Sequence, residues 1–225
     1  NPCGAAAGAT LAEAYRRAYE CDTVSAFGGI VAVNQQMDAE TALGIAEIFV
    51  EVVAAPDYTR EALEILSAKK KVRVLKVTPV KPAPVLKVVT GGFLVQGSDA
   101  LAVERAAMRS VGRRQPDENE WEQLLFAWRV VKHVKSNAIV LARDHAAVGV
   151  GAGQMSRVES VKLAAERAGD RARGTVLASD AFFPMPDGVE AAADAGVTAI
   201  IQPGGSIKDP DILAVADARG MAMVY

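Results

Sequence analysis

The sequence has little of several things that particular classes of protein require. Its 225 residues include two cysteines and two histidines, and aromatic residues make up 5% of the chain. Cys3 and Cys21 are too few for a disulfide framework and lack the paired spacing of a zinc site, so no metal site is expected. Cys21 is best explained as a small buried hydrophobic residue.

Neither an excess of one charge nor a long apolar run is present. The 25 basic and 27 acidic residues are spread along the chain, so no field is available to hold a polyanion. No apolar run reaches the roughly 18 residues that a membrane span requires, and residues 1–3 lack the basic and apolar regions of a secretion signal. We therefore expect a soluble, cytoplasmic protein with neither a nucleic-acid nor a membrane partner.

What the sequence does contain is an alternation of helical and strand patterns, which predicts an α/β fold. In the first half we predict helices over 7–20, 38–49 and 59–69, the second with Asp38 as its N-cap, and strands over 29–33, 50–54 and 72–77. In the second half we predict helices over 119–134, 156–168 and 188–195, strands over 137–142, 147–151, 175–178 and 197–202, and a last helix and strand reaching Tyr225. Two similar halves, 1–77 and 119–225, are then joined by a proline- and glycine-marked connector, 78–118, around one strand at 92–96.

The glycine-rich segment 149–157 follows a predicted strand and precedes a predicted helix. It is similar to a dinucleotide-binding GxGxxG turn, but its last position is Gln154 or Ser156, and Asp180 comes too late for the acidic residue expected roughly 20 positions on. No P-loop GK[ST] occurs. Two explanations remain: small residues that let a ligand approach the backbone at a helix N-terminus, or an ordinary tight turn.

Phe182 and Phe183 also allow two explanations. They either fill the core, or are exposed and stack on a planar heterocycle whose N–H groups are read by Asp180 or Asp187. The two histidines are expected to be solvated rather than catalytic, because His133 ends a predicted helix and His145 lies in a polar turn.

Taken together and in order, seven segments resemble the aminoimidazole carboxamide ribonucleotide (AICAR) transformylase domain of the bifunctional purine-biosynthesis proteins. They are residues 1–6 (NPCGAA), 25–29 (SAFGG), 52–58 (VVAAPDY), 132–137 (KHVKSN), 149–157 (GVGAGQMSR), 178–183 (ASDAFF) and 203–206 (PGGS). The resemblance implies two cytidine-deaminase-like α/β subdomains with mixed sheets flanked by helices. It does not imply the zinc site of the deaminases, since the chain has neither an H-x-E nor a P-C-x-x-C element.

The resemblance also implies an activity, transfer of a formyl group from the co-substrate 10-formyltetrahydrofolate to the 5-amino group of AICAR. No tightly bound cofactor is implied, and the site is expected at a homodimer interface. The positions that match ribonucleotide contacts are Gly28, Glu51, Asn137, Arg157 and Phe182. Those that match the folate side are Val158, Ala181, Asp187 and Ser206, with Asp187 suited to the pterin N–H edge.

The general base of this family has no counterpart within the sequence. In the family a Lys-His pair stands just upstream of the Asn-Pro-Cys-Gly motif, which here begins at Asn1, so no catalytic residue is assigned. An arginine-containing tail after the last strand and an N-terminal cyclohydrolase domain are also unmatched, and we expect a chain shortened at both ends. A non-catalytic nucleotide- or folate-binding protein is therefore the alternative, and a dehydrogenase the third hypothesis.

Overall fold

The computed structural model describes residues 1–78, 81–99 and 104–225. Its α-helices there are α1 (Leu11–Tyr19), α2 (Ala39–Ala46), α3 (Arg60–Ser67), α4 (Glu118–Val131), α5 (Arg157–Ala168), α6 (Asp187–Asp194) and α7 (Asp209–Ala218). The strands are β1 (Gly29–Ala32), β2 (Val50–Ala55), β3 (Arg73–Lys76), β4 (Val85–Val89), β5 (Gly92–Gln96), β6 (Ile139–Arg143), β7 (Ala146–Gly151), β8 (Val176–Ser179), β9 (Ala199–Ile201) and β10 (Ala222–Val224). The predicted α/β class is confirmed, and no helix in these ranges is long and apolar enough to cross a bilayer.

The first half is built on a small sheet in the order β1-β2-β3. Mixed sheets were expected, but the strands of this sheet are all parallel. Helices α2 and α3 bury an apolar face that includes Ile45 and Leu66. Asp38 caps α2 as predicted, since its side chain accepts a hydrogen bond from the Thr41 amide at 2.8 Å.

The helix predicted over 7–20 begins only at Leu11. Thr10 is its N-cap and accepts from the Glu13 amide. The residues before it pair instead with the edge of the second sheet, where the Ala7 amide donates to the His145 carbonyl at 2.8 Å. Local composition favours a helix over residues 7–10, but this strand-like pairing outweighs it.

The second half contains a larger, mixed sheet in the order β10-β9-β8-β6-β7, in which β6 runs antiparallel to both of its neighbours. Successive residues of β6 point to opposite faces, as a strand requires. Ile139 and Leu141 join the core beneath α5, α6 and α7, whereas Val140 joins the core beneath α4. Cys21 is 2% exposed and belongs to the core beneath α4. This confirms the prediction that it is a buried hydrophobic residue.

Part of the predicted connector has its own structure, and residues 79–80 and 100–103 of it lie outside the described residues. The predicted strand at 92–96 is present as β5, but it pairs with β4, which was not predicted. Gly91, with a φ of +86°, supplies the left-handed conformation in the turn between them. The chain then joins the large sheet: Arg109 and Tyr225 exchange backbone hydrogen bonds of 2.8 and 2.9 Å at the edge of β10.

Candidate functional site

Four loops meet at one end of the large sheet. Because β6 is antiparallel to β7 and β8, its first residue, Ile139, lies opposite the last residues of those strands, Gly151 and Ser179. Strands β9 and β10 run parallel to β8 and end on the same side. The sequence predicts polar and ligand-binding residues in such loops. Seven of the nine positions carried over from the resemblance lie there: Asn137, Arg157, Val158, Ala181, Phe182, Asp187 and Ser206.

The Arg157 side chain is buried at the centre of this end of the sheet. It is 5% exposed, and its Nη1 donates to Asp180 Oδ1 at 2.6 Å and to Ser179 Oγ at 2.8 Å. Its Nη2 donates to Asn137 Oδ1 at 2.8 Å. Arg157 and Asn137 are therefore in direct contact, and both are held from within the protein.

The Asp180 carboxylate compensates the buried charge of Arg157. Burial by itself would raise the pKa of Asp180, but hydrogen bonds from Ser136, Arg157 and the Ala138 amide, together with the Arg157 charge, outweigh it and hold this pKa below its ordinary value. Asp180 Oδ1 thus already accepts two hydrogen bonds from within the protein. That Asp180 reads the N–H groups of a ligand stays a prediction.

Asn137 fastens the glycine-rich turn to the start of β6. Its Nδ2 donates to the carbonyl oxygens of Gln154 and Met155, at 2.9 and 3.1 Å. The backbone carbonyl of Asn137 accepts from Ser160 Oγ at 2.8 Å. The side-chain Nδ2 thus holds the turn in place, while Oδ1 accepts from Arg157.

The glycines at 149 and 151 serve the packing of β7 on α5. A Cβ at Gly149 would lie 2.1 Å from the Ala164 carbonyl oxygen, and one at Gly151 would lie 1.9 Å from that of Ser160. The N-terminus of α5 is closed by a capping box between Ser156 and Glu159. Neither explanation of this segment is therefore complete, since its first two glycines bring a helix, rather than a ligand, close to the backbone.

The two phenylalanines have different environments: the core-filling explanation holds for Phe183, whereas stacking of Phe182 on a heterocycle stays a prediction. Phe183 is fully buried, and its amide donates to Gln202 Oε1 at 2.9 Å. Phe182 is 41% exposed. Asp187 is exposed at the first residue of α6, where the N-cap position is taken by Pro186. Of the two carboxylates flanking the phenylalanines, Asp187 is the one that faces solvent.

Comparison with known proteins identifies the family. Residues 1–167 match the model of the AICARFT/IMPCHase bienzyme. The chain belongs to that family.

Named relatives agree with this assignment. The chain is 57% identical to the bifunctional purine biosynthesis protein PurH of Anoxybacillus flavithermus over 228 aligned positions, which cover 100% of the chain and 45% of that protein. With the same coverage it is 56% identical to PurH of Bacillus mycoides and 54% identical to PurH of Bacillus thuringiensis strain Al Hakam. The chain therefore spans less than half the length of these relatives.

Two of the carried-over positions lie on the small sheet of this AICARFT/IMPCHase chain. Gly28 has a φ of +71°, and its amide donates to the Phe49 carbonyl at 2.8 Å. Glu51 is exposed on β2, with an oxygen 3.6 Å from Arg73 Nη1. Within the described residues, no hydrogen bond links Gly28 or Glu51 to the four loops of the large sheet.

The structure also contains a crevice of about 1170 Å³, which the sequence did not predict. It is lined by residues of three of the segments that carry the resemblance, at 1–6, 25–29 and 149–157, together with residues of α1, β1 and α5. None of the nine carried-over positions lines it. Cys3 does line it, and burial, followed by the charge of Asp22, raises the pKa of its thiol. The segments that carry the resemblance, the Asn-Pro-Cys-Gly motif among them, are the sequence signal for this region.

The histidines are placed as solvated residues. His145 lies in the β6–β7 turn, at the opposite end of β6 from Asn137, and its Nε2 is 3.8 Å from Glu122. His133 is exposed just after α4. Neither makes a hydrogen bond to the Asn137–Arg157–Asp180 cluster among the described residues. That neither acts as a general base stays a prediction.

Proposed function

We propose that this chain is the formyltransferase part of a bifunctional purine-biosynthesis enzyme, transferring the formyl group of 10-formyltetrahydrofolate to the 5-amino group of AICAR. The observation that carries the proposal is that seven of the nine carried-over positions lie at one end of one sheet, in its loops or in the first turn of the helices that follow them. The identity of 54–57% to PurH proteins supports it. No tightly bound cofactor is needed for such a transfer.

The chemistry sets clear demands on the site. The AICAR amine is a poor nucleophile because its lone pair is conjugated into the ring and carboxamide. The site must remove a proton, stabilise a tetrahedral oxyanion and hold two substrates in register. The half-exposed ring of Phe182 suits packing on the imidazole, and the solvent-facing Asp187 carboxylate suits the pterin N–H edge.

We propose further that the site is shared between two copies of the chain. Gly28 and Glu51 lie at the small sheet, whereas Asn137, Arg157 and Phe182 lie at the end of the large one. No hydrogen bond ties the two groups together in the described part of the chain. A ribonucleotide site that uses all five is explained if one copy supplies the first group and a second copy supplies the other. Analytical ultracentrifugation should then show a dimer, and a monomer at concentrations well above the substrate Kd would contradict this.

The test of the function is calorimetric binding of AICAR and of 10-formyltetrahydrofolate to the chain. Phe182→Ala should weaken AICAR binding about tenfold, because an aromatic contact and its buried area are lost. Phe93→Ala is the matched control, since Phe93 is an exposed aromatic on β5 and should change nothing. Absence of binding to both substrates would refute the proposal.

The alternative, a binder without catalysis, is favoured by one observation: neither histidine contacts the cluster in the described residues. A transfer assay separates the two hypotheses, with and without the family's Lys-His segment joined upstream of Asn1. Transfer that appears only with the segment supports the formyltransferase, and inactivity in both supports the binder.

The third hypothesis, a dehydrogenase, is tested by titration with NAD. It should show no binding, because the GxGxxG pattern is incomplete.

A further inference from the structure

Asp180 occupies a position that the family resemblance does not assign to either substrate. Its side chain is 17% exposed at the end of β8. One oxygen, Oδ1, accepts from Arg157 Nη1 at 2.6 Å and from the Ala138 amide at 2.8 Å. It therefore joins the N-terminus of α5 to the start of β6, where Asn137 lies.

We infer that Asp180 is a positioning residue for the ribonucleotide, which orients Arg157 and, through it, Asn137. This inference rests on the proposed function. A guanidinium is planar, so fixing Nη1 on Asp180 and Ser179 also fixes the direction of Nη2, which holds Asn137 Oδ1. One carboxylate thereby sets the geometry of two proposed ribonucleotide contacts.

The hydrogen bonds of Arg157 leave two of its N–H groups unused. Nη1 donates to Asp180 and Ser179, with the Ala138 carbonyl oxygen a further acceptor at 3.5 Å, and Nη2 uses one of its two N–H groups on Asn137. The second Nη2 N–H and the Nε N–H have no partner among the described residues. Without the Asp180 charge, the buried guanidinium would turn toward other acceptors, and these two donors would lose their direction.

The first experiment compares Asp180→Asn with wild type by calorimetry on the 225-residue chain. The amide can still accept a hydrogen bond but carries no charge. We expect AICAR binding to weaken about tenfold, as for loss of a charge-assisted contact, with the affinity for 10-formyltetrahydrofolate unchanged.

The matched control is Glu120→Gln. Glu120 is also a largely buried carboxylate paired with an arginine, since it lies 2.5 Å from Arg114 Nη2 and is 11% exposed, but it stands at the start of α4. Both substitutions are expected to lower the melting temperature, whereas only Asp180→Asn should weaken AICAR binding. Equal loss of AICAR affinity in the two variants would show a general effect of stability and overturn the inference.

A double-variant cycle tests the route through Arg157. In an Arg157→Gln background, Asp180→Asn should add no further loss of AICAR affinity; additive losses would overturn the inference. If Asp180→Asn alone does not fold, the double variant Asp180→Asn/Arg157→Gln can still be studied, because it leaves no unpaired buried charge. Its AICAR affinity is then compared with that of Arg157→Gln alone. A wild-type chain that binds neither substrate refutes the proposed function, whereas a wild type that binds AICAR no better than Asp180→Asn refutes only the positioning role.

Discussion

Gly151 shows how one residue fixes the distance between a strand and a helix. The carbonyl oxygen of Ser160 stands 1.9 Å from where its Cβ would be. Real Cβ atoms do not approach backbone this closely, so any side chain must displace α5 from β7. Since Arg157 is the first residue of α5, the same displacement would move the guanidinium of the cluster.

Gly151→Ala should therefore lower the free energy of unfolding by about 3 kcal/mol, through overpacking against backbone that cannot move aside. Gly92→Ala is the control, because a Cβ there meets no atom within 4 Å. Its effect should stay within about 0.5 kcal/mol. Urea denaturation of both variants gives the comparison, and equal stabilities would show that α5 shifts at little cost.

Asp187 could have a role in binding or in capping helix α6, and the structure distinguishes the two. Pro186 holds the N-cap position of α6 without a side-chain cap, and Asp187 Oδ1 accepts only from the next amide, that of Gly188, at 2.8 Å. A position at the start of a helix also allows an aspartate to be its N-cap, but the structure shows that Asp187 is not the N-cap of α6. Its remaining contribution to the helix is the favourable interaction of a negative charge with the helix dipole.

Asp187→Ser should lower the free energy of unfolding by less than about 1 kcal/mol, since only that dipole interaction is lost. The Kd for 10-formyltetrahydrofolate should rise about tenfold, because the charged partner of the pterin N–H groups is gone. Glu190→Ser, in the same first turn, is the control for charge alone. An unchanged folate Kd with lowered stability would leave Asp187 a purely structural residue.

At the scale of elements, the start of α4 is held by both a capping box and a largely buried ion pair. Asp117 and Glu120 form a capping box, and Glu120 also accepts from Arg114 and from the Thr198 hydroxyl. Arg114 in turn donates to the Thr198 carbonyl at 2.7 Å. The network ties the end of the connector to α4 and to the residue before β9.

This network predicts a particular loss of stability in acid. Burial would raise the pKa of Glu120, but hydrogen bonds from Arg114, Thr198 and Asp117 and the Arg114 charge lower it below its ordinary value of 4.5. A depressed folded-state pKa means that the stabilisation is complete above the unfolded-state pKa, about 4.3, and is lost as pH falls through the lower folded value.

Glu120→Gln should accordingly lower the melting temperature at pH 7 and reduce its further fall between pH 5 and pH 3. Glu118→Gln is the control, because that carboxylate is 80% exposed in its pair with Arg105 and should matter little. Calorimetric melting at the three pH values tests this. An acid-induced fall in Glu120→Gln as large as in wild type would show that other carboxylates carry the effect.

At the scale of the whole molecule, Arg171 joins the two halves of the chain. Its Nη1 donates to the Glu20 carbonyl at 2.7 Å, just past the end of α1, and its Nε donates to the Ala168 carbonyl at the end of α5. The pairing of Ala7 with His145 adds a backbone link between the same parts. The first half is thereby attached to the large sheet independently of the connector.

Arg171→Met should lower the free energy of unfolding by about 2 kcal/mol, since partly buried carbonyl groups lose a charged donor. Because the lost contacts join the halves, urea unfolding followed by Trp121 and Trp128, both on α4, should separate from unfolding followed by circular dichroism. Arg60→Met, at an exposed pair 87% accessible on the arginine side, is the control. Coincident transitions of wild-type stability would contradict the role of Arg171.

The sequence by itself determined the α/β class, the order of most elements and such details as the Asp38 cap and the burial of Cys21. These follow from neighbours in the chain, through apolar periodicity, capping residues and small-residue composition. The family was also readable from the sequence, because seven short segments in a fixed order are specific when taken together.

Only the tertiary structure decided which edges pair and which polar groups are already satisfied. Residues 5–7 pair with the edge of the large sheet at β7, and residues 109–111 pair with its other edge at β10. Phe182 is exposed while Phe183 is buried, and Asp180 is held by Arg157, 23 positions away. Such outcomes depend on contacts between distant residues, and the periodicity of a local segment carries no information about the partner it will meet.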